Sequence, residues 1–162
     1  MVTESLLHKL FEYKNAELHW KEKTTPLSRV KIGDVAGTID KKGYRKIGIN
    51  GKVYFAHRLI LLYHGVITPD QVDHVNGIKH DNNFDNLRLA TNSNNRMNTR
   101  LASNNKSGVK NVNWHKKQNK WVVQLGVNGK KMNFGAYHDL QVAKFVADTM
   151  RHKYHGNFSR NI

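Results

Sequence analysis

The sequence predicts an α+β chain assembled from small modules, and three observations carry that reading. Short runs rich in β-formers are punctuated by Asn50-Gly51, Asn76-Gly77 and Asn128-Gly129, dipeptides that close tight turns. Apolar residues recur at helical spacing in the stretches 5–13 and 139–154. Residues 99–108, TRLASNNKSG, are polar, lack apolar periodicity and read as a linker. A chain of 162 residues can hold one ordinary core or two or three very small ones.

The elements follow in order. Leu6, Leu7, Leu10 and Phe11 form one stripe of a short helix over 5–13, with Ser5 as its cap. The stretches 17–20, 33–39, 44–49 and 52–55 read as strands, separated by Gly43 and by the Asn50-Gly51 turn. Residues 57–64, HRLILLYH, are too apolar for a surface loop and fit a short buried helix, after which Pro69 ends the approach to a second hairpin. Beyond the linker, three strands are expected at 109–115, 120–127 and 130–135, then a helix at 139–154. Trp121, Val123, Leu125 and Val127 would face a core, joined by Met132 and Phe134. Leu140, Ala143, Ala147, Met150 and Tyr154 would cover that sheet, with the alanines permitting close approach. Trp114 has two readings, a core side chain or a ring packed on a sugar or base edge.

Charge narrows the function classes. Lys and Arg total 27 against 12 Asp and Glu, a formal net charge of +15, which favours a polyanionic partner. Residues 1–71 carry 12 basic and 7 acidic groups, residues 72–105 carry 4 and 3, and residues 106–162 carry 11 and 2. A nearly neutral middle segment thus lies between basic flanks, an arrangement suited to gripping phosphates around a cation-binding site. Cysteine is absent, which excludes disulfides and a thiolate zinc site. The N-terminus mixes acidic and basic residues with no long apolar run, so neither a signal peptide nor a membrane span is expected, and a cytoplasmic location follows.

The middle segment carries the chemistry. Residues 72–95, VDHVNGIKHDNNFDNLRLATNSNN, set Asp73 beside His74, Asn86 twelve positions after the His, and Asn95 nine further on. A carboxylate can hold a hard cation, an imidazole can take a proton from water, and carboxamides can orient or ligate without adding charge. Magnesium is commonly held by one or two protein oxygens, waters and substrate phosphate. The reference His pKa near ~6.5 leaves the ring able to accept a proton at neutral pH. Asn76-Gly77 reads as a turn, and Asp81, Asn82 and Asn83 as loop-fixing side chains.

This segment resembles the HNH family, most closely the homing and free-standing HNH endonucleases common in phage genomes. The resemblance implies a ββα-metal fold, in which a hairpin carries the Asp-His pair near its start and the middle Asn near its end, followed by a helix bearing the last Asn. By position, Asp73 and Asn95 would ligate a divalent metal, magnesium or in its place manganese. His74 would be the general base and Asn86 would hold its ring. Residues 1–98 then form one functional unit, with the nuclease core at about 53–98 and a small α/β extension before it. Arg58, Arg88 and Arg96 are candidates for phosphate, whereas His57 reads either as a structural group or as a DNA contact.

The C-terminal stretches GVKNVNWHKKQNKWVVQL and FGAYHDLQVAKFVADTMRHKYHG resemble the DNA-binding domain of plant ethylene-response factors, which implies a three-stranded antiparallel sheet on one helix over 109–162. In those domains the sheet lies in the major groove. Lys110 and Val112 stand where arginines are usual, a departure from the readout of the plant proteins. The outward candidates are Lys110, Asn113, His115, Lys117, Lys120, Gln124, Lys131 and Asn133, with lysines toward phosphate and carboxamides toward adenine.

The expected function is a metal-dependent HNH DNA endonuclease of phage homing type, nicking one strand of double-stranded DNA as a monomer, a double-strand break requiring a dimer or successive events. The competing expectations are a DNA-binding regulator on an inactive nuclease scaffold and an RNA binder.

Overall fold

The computed structural model describes residues 1–26, 28–67, 71–99 and 101–159, without the side chains of residues 93, 94, 96 and 157. The expected boundary at Pro69 and the side chain of Arg96 therefore lie outside the described residues. The chain divides into two compact units, Met1–Thr91 and Asn92–Ile162. No helix among the described residues is long and apolar enough to cross a membrane.

In the first unit, helix α1 (Glu4–Leu10) is capped by Thr3, whose hydroxyl accepts from the Leu6 N–H, and not by Ser5. It stops at Leu10 because β1 (Phe11–Lys14) turns back through Asn15 and Ala16, both at positive φ, to pair with β2 (Glu17–Trp20). Leu7, Leu10 and Phe11 suit a helix stripe, but Phe11 and Tyr13 equally suit one face of a strand. The hairpin wins by setting Phe11 opposite Trp20, ring centroids 4.5 Å apart.

The strand expected over 33–39 contracts to β3 (Thr38–Ile39), preceded by a single bridge from Val35 to His19. Gly33 and Gly37 take positive φ and break the extended run, and at Gly37 a Cβ would lie 2.0 Å from the Lys46 carbonyl oxygen. Strands β4 (Arg45–Ile49) and β5 (Lys52–Phe55) form the expected hairpin on Asn50-Gly51. Helix α2 (Ala56–Tyr63) buries Leu59, Ile60 and Leu61 against Leu7, Leu10, Phe11, Leu18, Trp20, Ile47 and Ile49. Strand β6 (Gln71–His74) pairs antiparallel with β7 (Leu87–Ala90), and Leu87 joins the core, so this hairpin is fixed to it.

The second unit begins with α3 (Asn92–Met97) and continues into β8 (Val112–His115), β9 (Lys120–Val127), β10 (Lys130–Tyr137) and α4 (Leu140–His155), with strand order β10-β9-β8. Asp139 caps α4, its carboxylate accepting from the Gln141 and Val142 N–H groups. Val112, Val123, Leu125, Val127, Ala143 and Ala147 form the core. The first expected strand is shorter because Asn105 and Ser107, within the stretch read as a linker, tie down the Val109 and Val112 carbonyls. Met132 stands opposite Leu125 on the core side of the sheet, as expected, but on the edge strand it stays exposed. The β10 side chains that pack on the core are Phe134 and Tyr137, around a register shift between Asn133 and Ala136. Trp114 is 44% exposed and packs edge-to-face on Trp121, which joins the core margin.

No local pattern announces that Arg151, on the helix expected to be lined by alanines, is 1% exposed. Its Nη1 donates to the Lys110 carbonyl at 2.6 Å, and Asp148, one turn back, pairs with Nη2. Arg151→Ala is expected to lower the stability of the protein by roughly 2–4 kcal/mol, since it opens a cavity and strands a carbonyl. Urea unfolding followed by tryptophan fluorescence checks this.

Candidate active site

Strand β6 ends in the pair that the sequence singled out, and both side chains are largely buried. Directly across the ladder from Asp73 stands Arg88, expected to reach DNA phosphate. Its Nε and Nη2 donate to Asp73 Oδ2 at 2.9 and 2.6 Å. The structure thus commits Arg88 to the carboxylate, because cross-strand partners lie within side-chain reach and a guanidinium suits a carboxylate geometrically.

The loop between the two strands is held by its own amides. Asn76 Oδ1 accepts from the Ile78 N–H at 2.8 Å, with Gly77 at positive φ, which closes the expected turn. Asn83 Oδ1 accepts from the Asp85 N–H and so caps the 3-10 turn Phe84–Asn86. Asn86, expected to hold the His74 ring, does something else. Its Oδ1 accepts from the Asn76 N–H at 3.0 Å, and its Nδ2 faces Asn76 Oδ1 and the Asp81 carbonyl at 3.0 and 2.8 Å. It clamps the loop that follows His74 and touches the ring only indirectly.

The ring's side-chain partner is Asn82, whose Oδ1 lies 3.4 Å from His74 Nε2. Asn82 is buried to 1% exposure, its Nδ2 without a hydrogen-bond partner among the described residues, and its amide lies near the Glu17 carboxylate. Glu17 in turn pairs with Arg45 at 3.0 Å. From β1, Tyr13 braces the same loop, its hydroxyl accepting from the Phe84 N–H at 3.0 Å and reaching the Asn82 carbonyl at 3.5 Å. The loop chemistry of Asn82 was legible, but Glu17 lies 57 positions before His74 and no spacing rule connects them.

Burial lowers the His74 pKa, and Asn82, Asp73 and Asp81 oppose that effect. The ring is therefore neutral at neutral pH and able to accept a proton. A second histidine packs on it: His57, at the start of α2, stands edge-on to His74 with centroids 5.2 Å apart and stacks on Phe55. Its Nδ1 is buried without a hydrogen-bond partner among the described residues, which settles it as an interior side chain.

Burial pushes the His57 pKa down to about 4, with the neighbouring His74 adding to the shift. The folded state binds fewer protons than the unfolded chain between that value and the free histidine value. Stability present above pH ~6.5 is accordingly lost as pH falls toward ~4, by about 3 kcal/mol at most. Urea midpoints measured across this window should fall in the wild type and fall less in His57→Phe.

The remaining site candidates divide by unit. Arg58 is half-buried on α2, and Asn95 lies on α3 in the second unit. Among the described residues no group of three or more His, Cys, Asp and Glu converges as a metal cage. A site for magnesium needs none, since one carboxylate and one carboxamide oxygen suffice beside water and phosphate. Asp73 supplies the carboxylate for such a site, one of its oxygens, Oδ2, being engaged by Arg88. A carboxylate and a carboxamide are by chemistry oxygen donors of the kind a hard divalent ion takes.

On the C-terminal sheet the register sets His115 opposite Lys120, Asn113 opposite Val122, Gln124 opposite Asn133 and Gly126 opposite Lys131. The six polar candidates in these pairs share one face, and Lys117 is exposed in the turn beside them. Lys110 does not join them. Its ammonium donates to the Met97 and Thr99 carbonyls at 2.7 and 2.6 Å, which ties it to the end of α3.

Residues 54–97 match a family model described as HNH endonuclease. Protein 3.8 of Escherichia phage T7 is 34% identical over 89 residues, which span 55% of this chain and 73% of that protein. No solved structure matches the chain.

Proposed function

We infer, from a chain that belongs to the family of Protein 3.8 of Escherichia phage T7 and carries an HNH endonuclease domain at residues 54–97, that it is a metal-dependent DNA endonuclease which nicks one strand of a duplex. The observation that carries this reading is the His74 ring, buried beside Asp73, neutral, and held at Nε2 by a carboxamide oxygen. His74 takes the proton from the attacking water. Asn86 keeps the following loop in shape, and Asp73 with Asn95 holds the cation, magnesium or manganese. When bound, that ion stabilises negative charge on the scissile phosphate and its leaving oxygen.

The functional nuclease unit on this reading runs over 1–98, in the manner of a ββα-metal fold. Residues 109–162 act as an appended DNA-binding module similar to that of the ethylene-response factors. Its polar face of Asn113, His115, Lys120, Gln124, Lys131 and Asn133 supports this, as does an excess of nine positive charges over 106–162. A single copy of the motif supports nicking by a monomer of homing type in the host cytoplasm.

One observation favours a second reading, a DNA-binding regulator on an inactive scaffold: Arg88 already neutralises Asp73. Supercoiled plasmid incubated with the protein and magnesium separates the two. Conversion to open circles that chelator abolishes supports the nuclease. Tight binding with no nicking in either magnesium or manganese supports the regulator.

A further inference from the structure

We propose that Tyr44 and Lys79 form a phosphate-binding pair beside His74, the Tyr44 hydroxyl and the Lys79 ammonium donating to one phosphate of the DNA backbone. This rests on the reading of the chain as a DNA endonuclease and adds two side chains to the substrate contacts of that site.

Two turns of the first unit bring the pair together. Asp40 Oδ1 accepts from the Lys42 and Tyr44 N–H groups at 2.9 and 3.0 Å, and Gly43, at positive φ, completes the turn that delivers Tyr44 just before β4. The Tyr44 ring then stands 6.3 Å from the His74 ring and 5.8 Å from that of His57, centroid to centroid. Lys79 comes from the loop after β6, which Asn76 and Asn86 hold in shape. A Cβ added at Gly43 would lie 3.9 Å from Lys79 Cβ and Cδ, so the lysine stem runs over that glycine. Its ammonium sits 4.9 Å from the Tyr44 ring centroid and donates to the Lys42 carbonyl at 3.2 Å.

The donors left over on this pair suit an anion. An ammonium has three N–H donors, and the Lys42 carbonyl takes one. The carboxylates nearby are committed elsewhere: Asp40 pairs with Lys46 at 3.0 Å, Asp73 with Arg88 at 2.6 Å, and Asp81 accepts from the Asn76 amide and the Asn83 N–H. Lys79 is exposed and makes no ion pair among the described residues, yet its side chain is held at two points. A cation already held in place gives up less side-chain freedom when a ligand arrives. The Tyr44 hydroxyl takes no hydrogen bond among the described residues and reaches solvent, so it too can donate outward. A fixed cation and a neutral hydroxyl donor are the groups that contact backbone phosphate, and here they adjoin the imidazole read as the proton acceptor.

Fluorescence anisotropy of a labelled duplex with the full-length protein in chelator reads the contact without any cleavage. Lys79→Met keeps the stem over Gly43 and removes the charge. It should make the plot of log affinity against log salt shallower by about 0.9, the counterion released by one phosphate. Tyr44→Phe keeps the ring on which the ammonium packs and removes a neutral donor, so it should weaken binding on the order of fivefold at fixed salt and leave the slope unchanged. Lys79→Arg should restore the slope, and thermal unfolding of all three variants should stay near wild type. Affinities and slopes that match the wild type in both Lys79→Met and Tyr44→Phe overturn the proposal, as does a loss in Lys79→Met that Lys79→Arg fails to recover. Nicking of plasmid in magnesium is scored separately. Wild-type nicking with unchanged binding in both variants removes only the phosphate pair, whereas an altered slope in a protein that never nicks removes the nuclease reading and keeps the contact.

Discussion

Replacing His74 with alanine should reduce plasmid nicking by roughly 10²–10⁴-fold while leaving DNA binding measurable, the usual scale for loss of a positioned general base. The expectation rests on how few alternatives the site holds. His57 is the nearest other imidazole, edge-on to His74, but a pKa pushed down to about 4 makes it a poor proton acceptor at neutral pH. It also packs against the rings of Phe55 and Tyr44. A His57→Phe protein should therefore keep most of its activity at neutral pH, in contrast with His74→Ala. Nicking by a clean His74→Ala preparation at the wild-type rate would remove this residue from the chemistry.

If Asp73 holds the cation as proposed, Asp73→Asn should give a comparable loss, on the order of 10³-fold, because an ion that stabilises the transition state by several kcal/mol would lose a charged ligand. The same change has a second consequence that must be separated from the first. Asp73 and Arg88 face each other across the β6–β7 ladder with side chains only 9% and 18% exposed. Removing one charge leaves the other unpaired, at a cost of about 3 kcal/mol. Asp73→Asn/Arg88→Met removes both charges and should recover much of the unfolding midpoint, since an apolar pair tolerates burial. Cleavage should stay lost. A double variant that regained nicking would show that the carboxylate acts only in folding, and that the cation is held elsewhere.

How far the sequence reached depends on whether partners are near in the chain. The helix over α2, the Asn50-Gly51 hairpin and the β9–β10 pair were all legible, because periodicity and turn dipeptides are local signals. The Asp73-His74 pair was legible for the same reason. Failures came where one local pattern served two structures. Phe11 to Tyr13 fits both the end of a helix and the start of a strand, and only Trp20 opposite Phe11 decides for the strand. Met132 keeps the inward register opposite Leu125, yet on an edge strand that position stays exposed.

By itself, then, the sequence determined the alternating modules, the strong positive charge and the spacing of an acid, an imidazole and two amides. Covalent order is enough for these, since each is a property of neighbours along the chain. Only tertiary structure decided who holds whom. It gave Arg88 to Asp73, Asn82 to His74, Lys110 to the end of α3, and Glu17 to an arginine 28 positions away. Those pairings depend on strand register and on which buried donors remain to be satisfied, and burial must be known before the demand for a partner exists.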